Sequence, residues 1–230
     1  MQPFCEKCHL NLRDMPDFVP GERLLTSDQP QRDSRSPVQA AALPRNAHAG
    51  SHSVDFYADE GAFLDSLSDL IGRALNAGGV CLVIAAAPHR QGIAQRLRAS
   101  GIDLSLAVRN SQYLLLDAEA TLARFMVDGL PDQDRFFATI EPLLLGAKAS
   151  LGPGVTFPIA FGEMVALLWA DGKCEAAVRL EQLWNELARR HSFALRCAYP
   201  IDNFAHSDED LLFQQICAEH NHILSSCSPS

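Results

Sequence analysis

Short apolar runs alternate with longer amphipathic segments over residues 52–224. Four apolar runs have the length of buried strands: "VCLVIAAA", "YLLLDA", "VTFPIAFGEM" and "FALRCAYP". A shorter candidate strand, "HSVDFY", precedes them in the chain. In the segments between them, apolar residues recur every three or four positions, which predicts helices. "EAAVRLEQLWNELARRHS" is the strongest of these. Strands that alternate with helices predict an α/β domain of three layers, with a mainly parallel sheet and helices on both faces.

The pattern divides the chain into four parts. Residues 1–19 form a short amino-terminal segment, and residues 20–51, rich in Pro, Ser, Gln and Arg without periodicity, are typical of a flexible linker. Residues 52–224 form the compact domain, and "DEDLLFQQICAEHNHIL" predicts its terminal helix. We expect residues 225–230 to be a disordered tail.

Parallel α/β sheets bind ligands in the crevice outside the carboxyl ends of their strands. We therefore expect a cleft there, lined by polar side chains at or beside strand ends. The candidate ligand-binding residues are His52, Tyr57, His89, Asp117, Glu163 and Tyr199.

Two carboxylates of this set need an explanation. Glu163 lies within the apolar stretch "IAFGEMVALLWADGK", where it either starts a helix, favoured by free backbone N–H groups, or contacts a ligand. Asp117 ends a buried strand, where an aspartate either holds magnesium or caps the following helix, "AEATLARFM", and we favour the cap. We predict that both residues line the same cleft.

The segment "FCEKCH" supplies Cys5, Cys8 and His9. Two thiolates two residues apart with a histidine form half of a zinc site, but a complete site needs four ligands. A thiol-bearing tail without metal is the alternative interpretation. CxxCH is also the attachment motif of c-type haem, which belongs to exported chains.

The remaining polar residues of the predicted elements have ordinary structural interpretations. Glu181 is expected on a solvated helix face. Cys81 and Cys197 lie in apolar strand runs and are interpreted as small buried hydrophobes. His220 and His222 are placed on the final helix, as surface or core residues.

Composition excludes several classes of function. The net charge is −9 and no basic stripe is present, which disfavours direct binding of nucleic acid. No signal peptide and no apolar run of membrane-spanning length appear, so we expect a cytoplasmic protein that does not bind membranes, with its seven cysteines mostly reduced. Phosphate-binding loops, GxSxG and HExxH are absent from the sequence.

Taken in order, "HSVDFYADEGAFLDSL", "GGVCLVIAAAPHRQGIAQRL", "YLLLDAEATLARFM", "FGEMV", "LEQLWNEL", "CAYP" and "ICAEHNHIL" resemble the MEDS family, the methanogen/methylotroph, DcmR sensory domain. The similarity covers residues 52–224. It implies a RecA/KaiC-like core without the phosphate loop, in which Asp117 stands where nucleotide-binding relatives hold magnesium. It also implies a sensory module, and the CxxCH segment lies outside it.

Three hypotheses follow. In the first, the protein is a stand-alone, non-catalytic sensor of a small molecule, by family association a one-carbon or hydrocarbon-derived compound. It signals to a separate protein, such as a histidine kinase or a transcription regulator, and a homodimer is compatible with this role. In the second, it is a degenerate nucleotide-binding protein or an enzyme that uses Asp117 and Glu163. In the third, Cys5 and Cys8 form a metal or redox switch.

Overall fold

A computed structural model describes residues 47–155, 157–204 and 210–225, together with two short strands near the amino terminus. The strands are β1 (Phe4–Cys5), β2 (Leu10–Asn11), β3 (His52–Tyr57), β4 (Cys81–Ala85), β5 (Tyr113–Asp117), β6 (Met126–Val127), β7 (Leu130–Pro131), β8 (Ile159–Gly162), β9 (Ala194–Pro200) and β10 (His222–Ser225). Six of them form one sheet in the order β10-β3-β9-β8-β4-β5, and every neighbouring pair is parallel.

Helices cover both faces of this sheet. They are α1 (Glu60–Asn76), α2 (Ala87–Ala99), α3 (Leu104–Arg109), α4 (Ala118–Leu122), α5 (Gln133–Ala149), α6 (Met164–Ala170), α7 (Cys174–Arg190) and α8 (Asp210–Glu219), with a 3-10 turn at Ile201–Phe204. Helices α1 to α3 pack on one face, and α4 to α8 pack on the other. The prediction of a three-layer α/β domain with a parallel sheet is therefore confirmed.

Along each strand of the sheet, successive side chains point to opposite faces. In β4, Leu82 and Ile84 point into the core beneath α4 to α8, whereas Val83 and Ala85 point into the core beneath α1 to α3. Alternation of this kind follows from the two-residue period of a strand. Because both sets are apolar and buried, the sequence of β4 reads as one continuous apolar run.

The segment "AEATLARFM" is a shorter helix than its pattern predicts. Helix α4 ends at Leu122, and β6 and β7 then form a small antiparallel hairpin. Asp128 and Gly129 connect these strands with φ angles of 49° and 86°. An Asp-Gly pair with both φ angles positive forms the tight hairpin turn that matches the twist of its strands.

Helix α2 has a proline at its start. The helix begins at Ala87, with Pro88 in its first turn. Proline fits this position because its fixed φ is helical and its missing N–H is not needed there.

The predicted terminal helix is wrong in its last turn. Helix α8 ends at Glu219, and the following residues form strand β10, which pairs with β3. Asn221 makes this possible, because its backbone N–H donates to the carbonyl of His52 and its side-chain oxygen accepts from the N–H of His52. His222 consequently lies on a strand, and His220 lies between the helix and that strand.

Candidate functional site

Glu163 lies at the carboxyl end of β8, immediately before α6, and its side chain points away from that helix. It makes no capping hydrogen bond to α6. Its Oε2 instead accepts a hydrogen bond of 3.0 Å from the backbone N–H of Ala86, at the start of α2. The buried carboxylate is thus stabilised by a neighbouring helix start rather than by its own, which differs from the expectation drawn from sequence.

His89, in the first turn of α2, joins two carboxylates. Its Nδ1 lies 3.0 Å from Oε2 of Glu163, and its Nε2 lies 3.1 Å from Oε1 of Glu60 in α1. The hydrogen bond with Glu163 raises the pKa of His89 above its usual value, and this effect outweighs burial, which lowers it. The raised pKa favours an imidazolium held between a buried and an exposed acid.

Aromatic side chains flank His89 on its inner side. The rings of Tyr57 and Phe63 stack with centroids 4.3 Å apart, and both lie edge-on to the imidazole of His89. Burial, followed by the charges of Glu163, Glu60 and Asp55, raises the pKa of Tyr57. Tyr57 is therefore a neutral phenol in this group.

Asp117, at the end of β5, has two partners. Its Oδ1 accepts a hydrogen bond of 2.8 Å from the N–H of Ala120, which confirms the interpretation of Asp117 as the cap of α4. Its Oδ2 pairs with the guanidinium of Arg90 at 2.6 Å. Glu163 and Asp117 therefore contact consecutive residues of α2, His89 and Arg90.

The six candidate ligand residues fall into two groups. Tyr57, His89 and Glu163 meet at the carboxyl edge of the sheet, with Asp117 alongside through α2. His52 begins β3, and so lies at the opposite edge from Tyr57, which ends the same strand. His52 and Tyr199 instead meet at Glu181, beneath α7.

This second group is a buried polar cluster that consists of His52, Glu181, Cys197, Tyr199 and His220. Nε2 of His52 lies 3.2 Å from Oε2 of Glu181, and Sγ of Cys197 lies 3.3 Å from the same oxygen. The other carboxylate oxygen, Oε1, accepts a hydrogen bond of 2.8 Å from the hydroxyl of Tyr199 and lies 3.5 Å from Nε2 of His220. One carboxylate thus holds four side chains, which come from the two strands β3 and β9 and from the residue that follows α8.

The environment of Glu181 determines how these groups ionise. Burial raises its pKa, but the nearby His220 and His52 and the hydroxyl of Tyr199 lower it more, to about 2. Burial and the charge of Glu181 raise the pKa values of Cys197 and Tyr199 well above their ordinary range. The cluster therefore holds a carboxylate among a neutral thiol, a neutral phenol and two imidazoles.

Sequence reasoning missed this cluster. The interpretation of Glu181 as a solvated helix residue is wrong, because its exposed fraction is 0%. A signal was present, since Glu181 follows Ala177 by four residues and precedes Trp184 by three, which places it on the apolar face of α7. The expectation that Cys197 is buried is confirmed, although its thiol has polar partners.

The predicted metal residues lie mostly outside the described part of the chain. Only the backbone of Cys5 is described, as part of β1, and Cys8 and His9 lie outside the described residues. The zinc interpretation of this segment stays a prediction. The cysteines that the structure describes with their side chains are all buried: Cys81, Cys174, Cys197 and Cys217.

An apolar cavity of about 180 Å³ lies at the amino edge of the sheet. Its walls come from the end of α1, from the residues before β4 and from those before β8, including Ala77, Val80 and Phe157. It is therefore separated from His89 by the length of the strands.

Among the described residues, no helix combines the length and apolar character needed to cross a membrane. No curated protein sequence matches the chain. A family model does match it: the model of MEDS, the methanogen/methylotroph, DcmR sensory domain, matches residues 51–220.

Proposed function

Because the chain belongs to the MEDS family of sensory domains, we propose that it binds a small molecule at the carboxyl-edge group of Tyr57, His89 and Glu163 and signals without catalysis. The partner that reads the signal is a separate protein, such as a histidine kinase or a transcription regulator. Strand ends in parallel α/β sheets are the usual place for such a site.

The main support for the proposal is the unequal burial of the two carboxylates that contact His89. The Glu163 side chain is 9% exposed and is fixed by the N–H of Ala86, whereas the Glu60 side chain is 60% exposed. Because Glu60 is largely exposed, its carboxylate is well solvated when it leaves His89, so breaking this contact costs less free energy than breaking the contact with Glu163. A ligand can therefore replace Glu60 on His89 while Glu163 stays in place.

The chemistry of His89 limits the class of ligand. Both ring nitrogens face carboxylates, so both carry hydrogens in the protonated ring. The group that replaces Glu60 must then be a hydrogen-bond acceptor. A small carboxylate, of which formate and acetate are the simplest, fits this requirement and adds favourable charge to an imidazolium.

Release of Glu60 supplies a route for the signal. Glu60 is in α1 and His89 is in α2, so their contact joins two helices that pack against each other. Helix α2 also packs on α3, where Leu106 and Val108 are 47% and 54% exposed, beside Leu115 of the edge strand β5 at 39%. Exposed apolar side chains are typical of protein contact surfaces. We propose that a partner, or a second copy of the chain, reads the ligand-dependent position of these helices.

The alternative function, nucleotide binding with magnesium at Asp117 and Glu163, has less support. Both carboxylates are paired, Asp117 with Arg90 and with the N–H of Ala120, and Glu163 with His89 and with the N–H of Ala86. A magnesium ion would have to displace these donors from both carboxylates. The third hypothesis, a switch at Cys5 and Cys8, stays a prediction, because Cys8 lies outside the described residues and only the backbone of Cys5 is described.

The experiment compares thermal unfolding in sodium acetate and sodium formate with unfolding in sodium chloride of equal ionic strength. A ligand that binds only the folded state raises the unfolding midpoint. We expect the carboxylates to raise the midpoint of the unaltered protein, to raise that of Glu60→Gln at lower concentration, and to leave that of His89→Gln unchanged. Glu60→Gln is the matched control, because it removes the competitor and keeps the binding group.

Two outcomes would overturn the proposal. One is an equal rise in the unaltered protein and in His89→Gln. The other is stabilisation by benzene alone, unaffected by His89→Gln, which would assign the ligand site to the apolar cavity, since a cavity of about 150 Å³ is large enough for benzene.

A further inference from the structure

We propose that His52, Glu181, Cys197 and His220 form a binding site for one divalent transition-metal ion of the zinc class, enclosed between the sheet and helices α7 and α8. Each residue offers one ligand atom, and all four atoms lie within 4.8 Å of one another. Two imidazoles, a thiolate and a carboxylate are ligands that zinc accepts in four-coordinate sites.

The distances within the cluster resemble the edges of a coordination tetrahedron. Nε2 of His52, Sγ of Cys197 and Oε2 of Glu181 are separated by 3.5, 3.2 and 3.3 Å. With ordinary zinc bond lengths of about 2.0 Å to N and O and about 2.3 Å to S, tetrahedral edges are about 3.3–3.6 Å. Three of the four donors therefore already have the spacing that one shared ion requires.

Hydrogen bonds orient both imidazoles for this role. Nδ1 of His52 lies 2.8 Å from the side-chain oxygen of Asn185, and Nδ1 of His220 lies 2.7 Å from the carbonyl oxygen of Ile216. Since both partners are acceptors, each Nδ1 carries the hydrogen, and Nε2 is the nitrogen that faces the cluster. Metal-binding histidines use their second nitrogen in this way, as a donor to a carbonyl or carboxylate.

Asn185 is itself held in one orientation. Its amide nitrogen donates to the carbonyl oxygen and to the side chain of Glu219, both at 2.8 Å. Its oxygen must then face His52. Asn185 is a positioning residue for the proposed site, because it acts through His52.

Burial and charge favour a closed site with four protein ligands. The residues are 0–1% exposed, so the ion would lie away from solvent. A divalent ion with one thiolate, one carboxylate and two neutral imidazoles gives a net charge of zero, which lowers the cost of placing an ion in the interior. On binding, the thiol of Cys197 gives up its proton, as metal-bound cysteines do.

Two sites in this chain could hold zinc, and the experiment has to separate them. The amino-terminal Cys5, Cys8 and His9 would supply two sulfur ligands, whereas the buried cluster supplies one. X-ray absorption of the metal in the full chain, purified without chelator, counts the sulfur ligands directly and needs no variant. We expect one metal ion per chain with a single sulfur ligand.

Variants provide the second test. The double variant Cys5→Ser/Cys8→Ser should keep its metal and, with cobalt in place of zinc, its thiolate-to-cobalt absorption band. Cys197→Ser should lose that band. A chelator should lower the thermal unfolding midpoint of the unaltered protein and of the double variant, which reports on the site even where Cys197→Ser does not fold.

Asn185 and Gln182 form a matched pair on α7. Both contact Glu219, but only Asn185 contacts His52. Asn185→Ala should weaken metal affinity about 10- to 100-fold in competition with a chromophoric chelator. Gln182→Ala should leave it unchanged.

Several results would overturn the proposal: metal-free protein that is fully folded after purification in zinc-containing medium, two sulfur ligands by X-ray absorption, or metal that is lost from Cys5→Ser/Cys8→Ser and retained in Cys197→Ser. Equal affinity in the Asn185→Ala and Gln182→Ala variants would remove the positioning role of Asn185.

Discussion

At the scale of single residues, His89 links ionisation to stability. The groups that face it are Glu163, which lies between β8 and α6, Glu60 from α1 and the phenol of Tyr57 from β3. Its hydrogen bond with Glu163 raises its pKa above the ordinary 6.5 despite the opposing effect of burial. A raised pKa in the folded state means that folding favours the protonated ring.

This raised pKa determines how the stability of the folded protein changes with pH. The contribution of His89 to the free energy of unfolding should be complete below about pH 6.5, the pKa of the unfolded chain, and should be lost as the pH rises through the higher folded pKa. Urea unfolding of the unaltered protein and of His89→Gln, from about pH 5 to about pH 9, measures it. The difference between the two proteins should shrink with rising pH. A difference that grows with pH would contradict a raised pKa.

Asp117 tests a separate point, the capping of α4. Asp117→Ala removes the acceptor for the N–H of Ala120 and the partner of Arg90, whereas Asp117→Asn keeps an acceptor for the N–H. Because the pair with Arg90 is partly exposed, the cap should dominate the loss, and Asp117→Ala should lower the free energy of unfolding by about 1 kcal/mol. Asp117→Asn should retain most of this stability in chemical denaturation. Equal losses would assign the effect to the ion pair.

At the scale of elements, β10 protects the edge of β3. Its four residues pair in parallel with Ser53 to Phe56, and Ile223 packs on the core beneath α7. Without this strand, β3 would present unpaired N–H and C=O groups at the end of the sheet. Exposed edges of this kind promote association between chains.

A truncation tests this function of β10. A chain that ends at Asn221 should unfold at a lower temperature and should associate as its concentration rises, as measured by sedimentation velocity. A chain that ends at Ser225 is the control, since it keeps β10. If the two chains have the same sedimentation behaviour and the same unfolding temperature, β10 does not protect the sheet.

At the scale of the whole molecule, the sequence was sufficient for the class of fold and insufficient for the arrangement of the sheet. Runs such as "VCLVIAAA" identify strands because both faces of a parallel sheet are buried, and "EAAVRLEQLWNELARR" identifies a helix by its period. The order of the strands depends on contacts between distant segments, such as β3 with β9 and β10, which no local pattern contains.

The residues of the two candidate sites could also be predicted from the sequence only in part. Glu163 and His89 could be selected from sequence because strand ends have a known location in parallel sheets. The buried cluster could not, because positions 52, 181, 197 and 220 are brought together only by the packing of α7 and α8 on β3 and β9. Glu181 alone had a local signal, its place on the apolar face of α7.

The most direct test of ligand binding is nuclear magnetic resonance of the His89 ring nitrogens during titration with acetate. The proposal predicts that the Nε2 signal, which reports the contact with Glu60, moves to a saturating value while the Nδ1 signal beside Glu163 changes little. Sodium chloride at equal ionic strength should move neither. If the Nε2 signal stays constant through the titration, or follows chloride as it follows acetate, the carboxyl-edge group is not the site at which this domain binds its ligand.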